Sequence, residues 1–163
     1  MTDRSRLPDP ARFFPDLGPL AGAMTRTVHN GALPDVTIAL VQLRAGQLAG
    51  STYHTVRQTG LLRNAGEPED RITAVSSWRD APYFTDAERL ALELTEAVLT
   101  PNPRGERVPD ELFARAAAVY DDKALWTLTV AIGQIGFFIP VGLIAKPIPG
   151  RPLGKNYSPA GEG

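Results

Sequence analysis

The stretch LVQLRAGQLAGSTYHTVRQTG, Leu40 to Gly60, is an apolar run that ends at Gly50 and is followed at once by Ser51, Tyr53, His54, Arg57 and Gln58 at helical spacing. Gly50 stops one helix and Ser51 is a natural N-cap for the next, so two helices meet at a tight turn. His54 is the side chain of this stretch that titrates near neutral pH, and Gln58, four residues on, shares its helical face. Ser51, three residues before His54, stands within reach to orient the imidazole or a substrate carbonyl.

Upstream, Leu20, Met24 and Val28 repeat at i, i+4, i+8 and mark an amphipathic helix from about Gly18 to His29, terminated by Asn30-Gly31. Pro34 opens the helix that leads into the turn, with Val36, Leu40, Leu43 and Leu48 as its apolar face. Before them, Pro8, Pro10, Pro15 and Pro19 predict an arm of turns or a short helical turn, anchored by Phe13 and Phe14 and suited to packing on another surface. Downstream, the Ser51 helix runs to Asn64, and a fourth spans Glu69 to Trp78. Thr85-Asp86-Ala87-Glu88 has the form of a capping box for a fifth, carried by Leu90, Leu94, Ala97 and Val98. Pro109 starts a sixth helix ending near Tyr120, and Asp121 or Asp122 caps the last long one. No segment alternates with period two, so the fold class is all-α, with about six to seven helices in a single domain over residues 1–150. The tail 151–163 is rich in Gly, Pro and Ser and is expected to be extended or disordered.

Composition narrows the function. The chain has 163 residues, 43% of them apolar, enough for one domain with a real core. Seventeen Lys plus Arg against eighteen Asp plus Glu leave a net charge of -1, which gathers no polyanion, so nucleic acid is not expected as a partner. With no cysteine there is no disulfide, thiolate nucleophile or thiolate metal site. Two distant histidines make no metal site, and without a Gly-rich phosphate loop no cofactor is expected. Met1 to Arg6 is polar rather than a lead into an apolar segment, which points to the cytoplasm. Trp126 to Ile144 approaches membrane-like apolarity, but Gln134, Pro140 and three glycines interrupt it, so it reads as a buried or oligomer-interface helix and no membrane is expected.

The order of elements resembles the carboxymuconolactone decarboxylase and alkylhydroperoxidase D-like superfamily. The resemblance rests on Val41-Gln42-Leu43-Arg44, Gln47-Leu48-Ala49-Gly50, Arg63 to Glu67, Arg71 to Arg79 and Phe84 to Leu92, and covers most of Pro34 to Leu99. It implies a compact helical protein that self-associates as a dimer, trimer or hexamer. Peroxidase members place a Cys-x-x-Cys pair, a following histidine and a preceding glutamate at positions that align with Ser51, His54, Gln58 and Ala39. Every member of that relay is replaced, and serine cannot exchange disulfides, so thiol-dependent peroxide reduction is excluded. In place of the Asn and Arg of many relatives, the last helix carries Gly133 to Phe138, which implies an altered, apolar pocket.

What remains is acid-base chemistry. Relatives that decarboxylate a lactone use an acid-base pocket without a redox couple, so the chain reads as a cofactor-independent lyase, decarboxylase, isomerase or cyclase acting on a small apolar carbonyl or lactone metabolite. In this reading His54 moves the proton, Ser51 orients it or a carbonyl, and Tyr53 donates a phenolic proton. Gln58 holds a carbonyl, Arg57 and Arg44 bind a carboxylate or enolate, and Trp78, Phe137 and Phe138 line an apolar wall. Each has a plainer role: capping serine, core aromatic, or surface or intersubunit ion pair. His29 has no evident partner in the sequence, and Arg71, Arg79 and Glu88 read as structural. Proline, glycine, alanine and arginine usage fits a high-GC bacterial source and a place in specialised metabolism. The alternative is a non-catalytic oligomeric binding or scaffold protein that kept the fold.

Overall fold

The computed structural model describes residues 4–159 and contains no strand among them. Its seven α-helices are α1 (Leu17–Val28), α2 (Asp35–Leu48), α3 (Thr52–Asn64), α4 (Glu69–Thr73), α5 (Asp86–Leu99), α6 (Asp110–Ala117) and α7 (Asp122–Pro140). The remaining positions, 1–3 and 160–163, lie outside the described residues, and with them the start of the polar N-terminus and the end of the expected tail.

The α2–α3 hairpin is made by a Schellman turn. Gly50 takes a φ of 65°, its N–H donates to the Gln47 carbonyl at 3.1 Å, and the Ser51 N–H donates to the Gly46 carbonyl at 2.9 Å. Glycine enters that left-handed conformation without steric cost, so the chain reverses in two residues. Gly46 then lets the helices touch: a Cβ there would lie 3.1 Å from the His54 Cβ and 3.2 Å from the Thr55 nitrogen.

Helix α2 is buried on almost every side, between two apolar clusters. Ile38 and Val41 face one, with Val28, Ala91, Leu128 and Ala131. Leu40 and Leu43 face the other, with Leu62, Val75, Trp78 and Leu92. A single apolar stripe is therefore the wrong description of α2; Leu48, assigned to that stripe, is exposed. The capping box of α5 forms as its sequence predicts, with the Glu88 N–H donating to Thr85 Oγ1 at 3.2 Å and the Thr85 N–H to Glu88 Oε2 at 2.9 Å. Arg71 ties Glu88 and Glu67 together, which agrees with a structural role for that arginine. The fourth helix is shorter than expected: α4 ends at Thr73 and a 3-10 turn, Ala74–Ser77, carries Val75 and Trp78 into the core.

The N-terminal arm contains the expected short turn, Pro10–Arg12, but Phe13 and Phe14 do not anchor it, each being 63% exposed. The anchor is backbone: the Arg6 and Leu7 N–H groups donate to the Ala145 carbonyl at 2.8 and 3.3 Å. Helix α7 is capped by Asp121, whose side chain accepts from the Ala124 N–H at 2.8 Å, and continues past Pro140 as a π-helical turn, Val141–Ala145. Asp122–Ala145 is long and apolar enough to cross a membrane by length and composition. One face buries Leu128, Ala131, Ile132 and Ile135; on the other, Trp126 is 69% exposed and Phe137 is exposed too. Residues 151–159 are irregular but have defined partners. The Ile148 N–H donates to the Asn156 carbonyl at 2.7 Å, and the Ser5 and Ser158 N–H groups each donate to the other's Oγ at 2.9 Å.

Candidate active site

A cavity of about 280 Å³ opens between α1, α3, α7 and the segment around Asn156. Tyr53, His54, Arg57 and Gln58 line it from α3, and Ile135, Phe138 and Val141 supply an apolar wall. The hairpin thus delivers four of the expected site residues to one space, because positions 53, 54, 57 and 58 lie on one side of a helix. A second cavity of about 310 Å³ adjoins it and shares His29, Gln42, Gln58 and Leu61.

His54 is only 3% exposed, and its Nδ1 lies 2.8 Å from Ser51 Oγ. Ser51 is at the N-cap of α3, yet its hydroxyl makes no capping bond and is turned to the imidazole instead. It does not line the cavity, is 1% exposed, and lies under Gly142, where a Cβ would come within 2.7 Å of both Ser51 Oγ and His54 Nδ1. No substrate carbon fits between them. Ser51 therefore contacts the imidazole at Nδ1 from outside the cavity, and Nε2 is not engaged by it.

Burial, and then the nearby Arg57 guanidinium, lower the His54 pKa from 6.5 to about 4. The imidazole is neutral at pH 7 and its resting capacity is that of a base. The sign of the linkage follows. Below pH 6.5 the unfolded chain takes up a proton that the folded chain refuses until about pH 4, so stability falls across that window as pH drops. The expected loss is up to about 3 kcal/mol. Thermal melts between pH 7 and 4 on the wild type and on His54→Phe check it: the variant should show a shallower fall.

A one-way chain of amides runs behind Gln58. Its Nε2 donates to Gln42 Oε1 at 3.1 Å; Gln42 Nε2 donates to the Ala131 carbonyl at 3.2 Å and to Gln134 Oε1 at 3.0 Å. Gln134 Nε2 donates to Thr25 Oγ1 at 3.1 Å, and the Thr25 hydroxyl donates to the Ala21 carbonyl at 2.9 Å. Opposite, the Tyr53 ring meets His54 edge to face at 5.3 Å, and its hydroxyl accepts from Asn156 Nδ2 at 3.0 Å. Tyr157 lines the same space, its pKa pushed up to about 12 by burial and by the neighbouring Tyr53 and Asp9. Arg57 faces the cavity, and no carboxylate among the described residues forms an ion pair with it.

Other expected site residues lie elsewhere. Arg44 Nε and Trp78 Nε1 both donate to Glu96 Oε1 at 2.8 Å, and Arg79 takes the other oxygen while stacking on Trp78 at 4.2 Å. Burial acts to raise the Glu96 pKa, but donors from Arg79, Trp78 and Arg44 outweigh it and keep the carboxylate ionised. This cluster braces α2 against α5, and neither Arg44 nor Trp78 lines the cavity. Phe138 does, whereas Phe137 points outward. Sequence reasoning missed Gly142, Asn156, Tyr157 and Gln42, which reach the site by tertiary contact. It also left His29 without a partner; the structure pairs its Nδ1 with Asp35 Oδ1 at 2.7 Å near the rim. Among the described residues no group of three or more His, Cys, Asp or Glu side chains stands close enough to hold a metal ion.

Known proteins share this fold. The sequence model of the carboxymuconolactone decarboxylase family matches residues 16–97. The chain is 31% identical over 113 residues to the uncharacterized protein YdfG of Bacillus subtilis, covering 69% of this chain and 75% of the relative. It is 47% identical over 101 residues to the uncharacterized protein YnjA of Escherichia coli, covering 62% and 54%. Among solved structures it resembles an Agrobacterium tumefaciens protein of unknown function, described as of the antioxidant defence type AhpD, with TM-score 0.78, 26% identity, and coverage of 88% and 96%. It also shares its fold with the debrominase Bmp8, solved with 2,3,4-tribromopyrrole, at TM-score 0.71, 18% identity, and coverage of 81% and 70%.

Proposed function

This chain belongs to the carboxymuconolactone decarboxylase family, and within that fold we propose that it is a cofactor-independent enzyme working by proton transfer on a small apolar carbonyl or lactone metabolite. The observation that carries the reading is the buried, neutral His54, held by Ser51 at Nδ1, at the wall of a largely apolar cavity. With the proton on Nδ1 and Ser51 Oγ accepting it, Nε2 takes a proton from the carbon next to the carbonyl. Arg57 stands in the same cavity to stabilise the enolate oxygen, and the imidazolium returns the proton to another carbon or to the product of carbon–carbon cleavage. An imidazolium buried beside Arg57 is unfavourable, which favours that return. The debrominase neighbour, solved with 2,3,4-tribromopyrrole, supports small-molecule chemistry on this fold.

The absence of a carboxylate on His54 among the described residues favours the second reading, a small-molecule binding protein without turnover. A screen of aromatic acids, lactones and polyketide-like compounds by thermal shift, followed by mass analysis of the recovered ligand, separates the two. A compound chemically changed by the wild type but only bound by a His54 variant supports the enzyme. Binding without change supports the alternative.

The reading includes self-association through the outer face of α7. Trp126, Gly133, Phe137 and Pro140 lie along one exposed stripe at helical spacing, with two large aromatic side chains left open to solvent. Trp126→Asp is expected to shift the mass measured by light scattering from an oligomer to a monomer without unfolding the chain. A wild type that already runs as a monomer would refute it.

A further inference from the structure

The Gln58 carbonyl is the one buried side-chain polar atom with no partner among the described residues, on a residue 4% exposed that lines the cavity. Its orientation is not interchangeable. The Ala131 carbonyl can only accept, so Gln42 must turn its Nε2 to it and its Oε1 toward Gln58. Gln58 must then donate with its own Nε2, which leaves Oε1 as the unpaired end of the chain. Flipping Gln58 would set two carbonyl oxygens against each other. Every bond from Gln58 through Gln42 and Gln134 to Thr25 and the Ala21 carbonyl donates in the same direction, and aligned bonds polarise one another. The chain thus ends, on a residue that lines the cavity, in a pre-set acceptor that lacks a donor, one turn from His54 on the same helix face.

We propose that Gln58 Oε1 is a specificity-determining acceptor and that the natural ligand is a small acid or oxyanion-forming compound bearing an N–H or O–H donor, such as an enol, a phenol or a pyrrole-type N–H. The donor bonds Gln58, and the oxygen-centred charge faces Arg57. This deepens the functional reading above by naming its substrate class and rests on it for the identity of the cavity. A ligand of the same shape with an acceptor in place of the donor leaves Gln58 unsatisfied and meets a second lone pair, the kind of mismatch that sites built around polar groups reject most strongly.

The test uses probe pairs matched in size and charge: pyrrole-2-carboxylate against furan-2-carboxylate, and 4-hydroxybenzoate against 4-fluorobenzoate. Titration calorimetry on the wild type is expected to show the donor member of at least one pair bound about tenfold or more tighter. Gln58→Met should bring that ratio to about one. Gln42→Leu, which leaves Gln58 in place but frees its amide to turn, should lower the ratio while binding persists, and it keeps the test open if the first variant folds poorly. Equal binding of both members, no measurable binding of any, or a preference that survives both variants would overturn the proposal. Turnover is not needed for this readout. A donor preference without chemical change would sink the enzyme reading alone, and turnover without donor preference would sink this one alone.

Discussion

Gly142→Ala is expected to abolish ligand binding at the cavity and to lower the melting temperature, although it adds one methyl group. That methyl would lie 2.7 Å from both Ser51 Oγ and His54 Nδ1 and 2.8 Å from His54 Cε1. Two of these belong to a rigid ring, and the Ser51 hydroxyl can turn away only by giving up its contact with His54 Nδ1. The imidazole is held from below by Gly46, whose close approach to the His54 Cβ prevents the helix from backing away. The ring must therefore turn off Ser51 or the π-helical turn must lift, and lifting it drags Ala145, whose carbonyl anchors the N-terminal arm. Overpacking of this kind costs about 1–3 kcal/mol. A ring displaced by an ångström loses on the order of a hundredfold in any reaction it serves. Ser51→Ala removes one of the three clashing atoms, so the double variant should recover part of the lost stability and little of the lost chemistry. Two additive losses in stability would show that the Gly142 contact does not act through Ser51.

The two parts of the site differ in how far the sequence exposes them. The hairpin was legible because its signals are local: Gly50 after an apolar run, Ser51 at an N-cap, and polar residues spaced by three and four. The same locality placed Tyr53, His54, Arg57 and Gln58 together, since a helix face follows from spacing alone. The roof was not legible. Gly142 lies ninety-one residues after Ser51, in a segment whose one visible property was apolarity, and nothing in its neighbours announces that an imidazole needs the space. Asn156 and Tyr157 belong to a stretch rich in Gly, Pro and Ser, where composition predicts no structure and tertiary hydrogen bonds supply it. Arg44 and Trp78 illustrate the opposite failure. Arg44 shares α2 with Gln42, but two positions along a helix is a turn of about 200°, so one faces the cavity and the other Glu96. Ser51 was correctly joined to His54 by spacing, yet spacing carries no information on whether a substrate can reach the hydroxyl. Burial decided that.

The largest chemical effect should come from His54→Asn. Asparagine places a polar atom near the position of Nδ1, so the contact with Ser51 survives, while Nε2 and its basicity are lost. For a compound that the wild type converts, turnover is expected to fall by about 10²–10⁴-fold, the range typical of a removed general base. KM should change little, because Arg57 and Gln58 remain to bind the ligand. The wild-type rate should be flat through neutral pH and fall below about pH 4, as the lowered His54 pKa finally lets the ring protonate. The His54→Asn variant has no imidazole to titrate there, so its residual rate should not follow that limb. Stability supplies the independent control. The same substitution removes the proton that the unfolded chain alone accepts, so its melting temperature should decline less than the wild type's between pH 6.5 and about 4. A variant that flattens the stability curve but leaves turnover intact would place His54 in the scaffold and pass the proton to another group. Tyr53 is then next in line, since its hydroxyl accepts from Asn156 and keeps its own hydrogen to give.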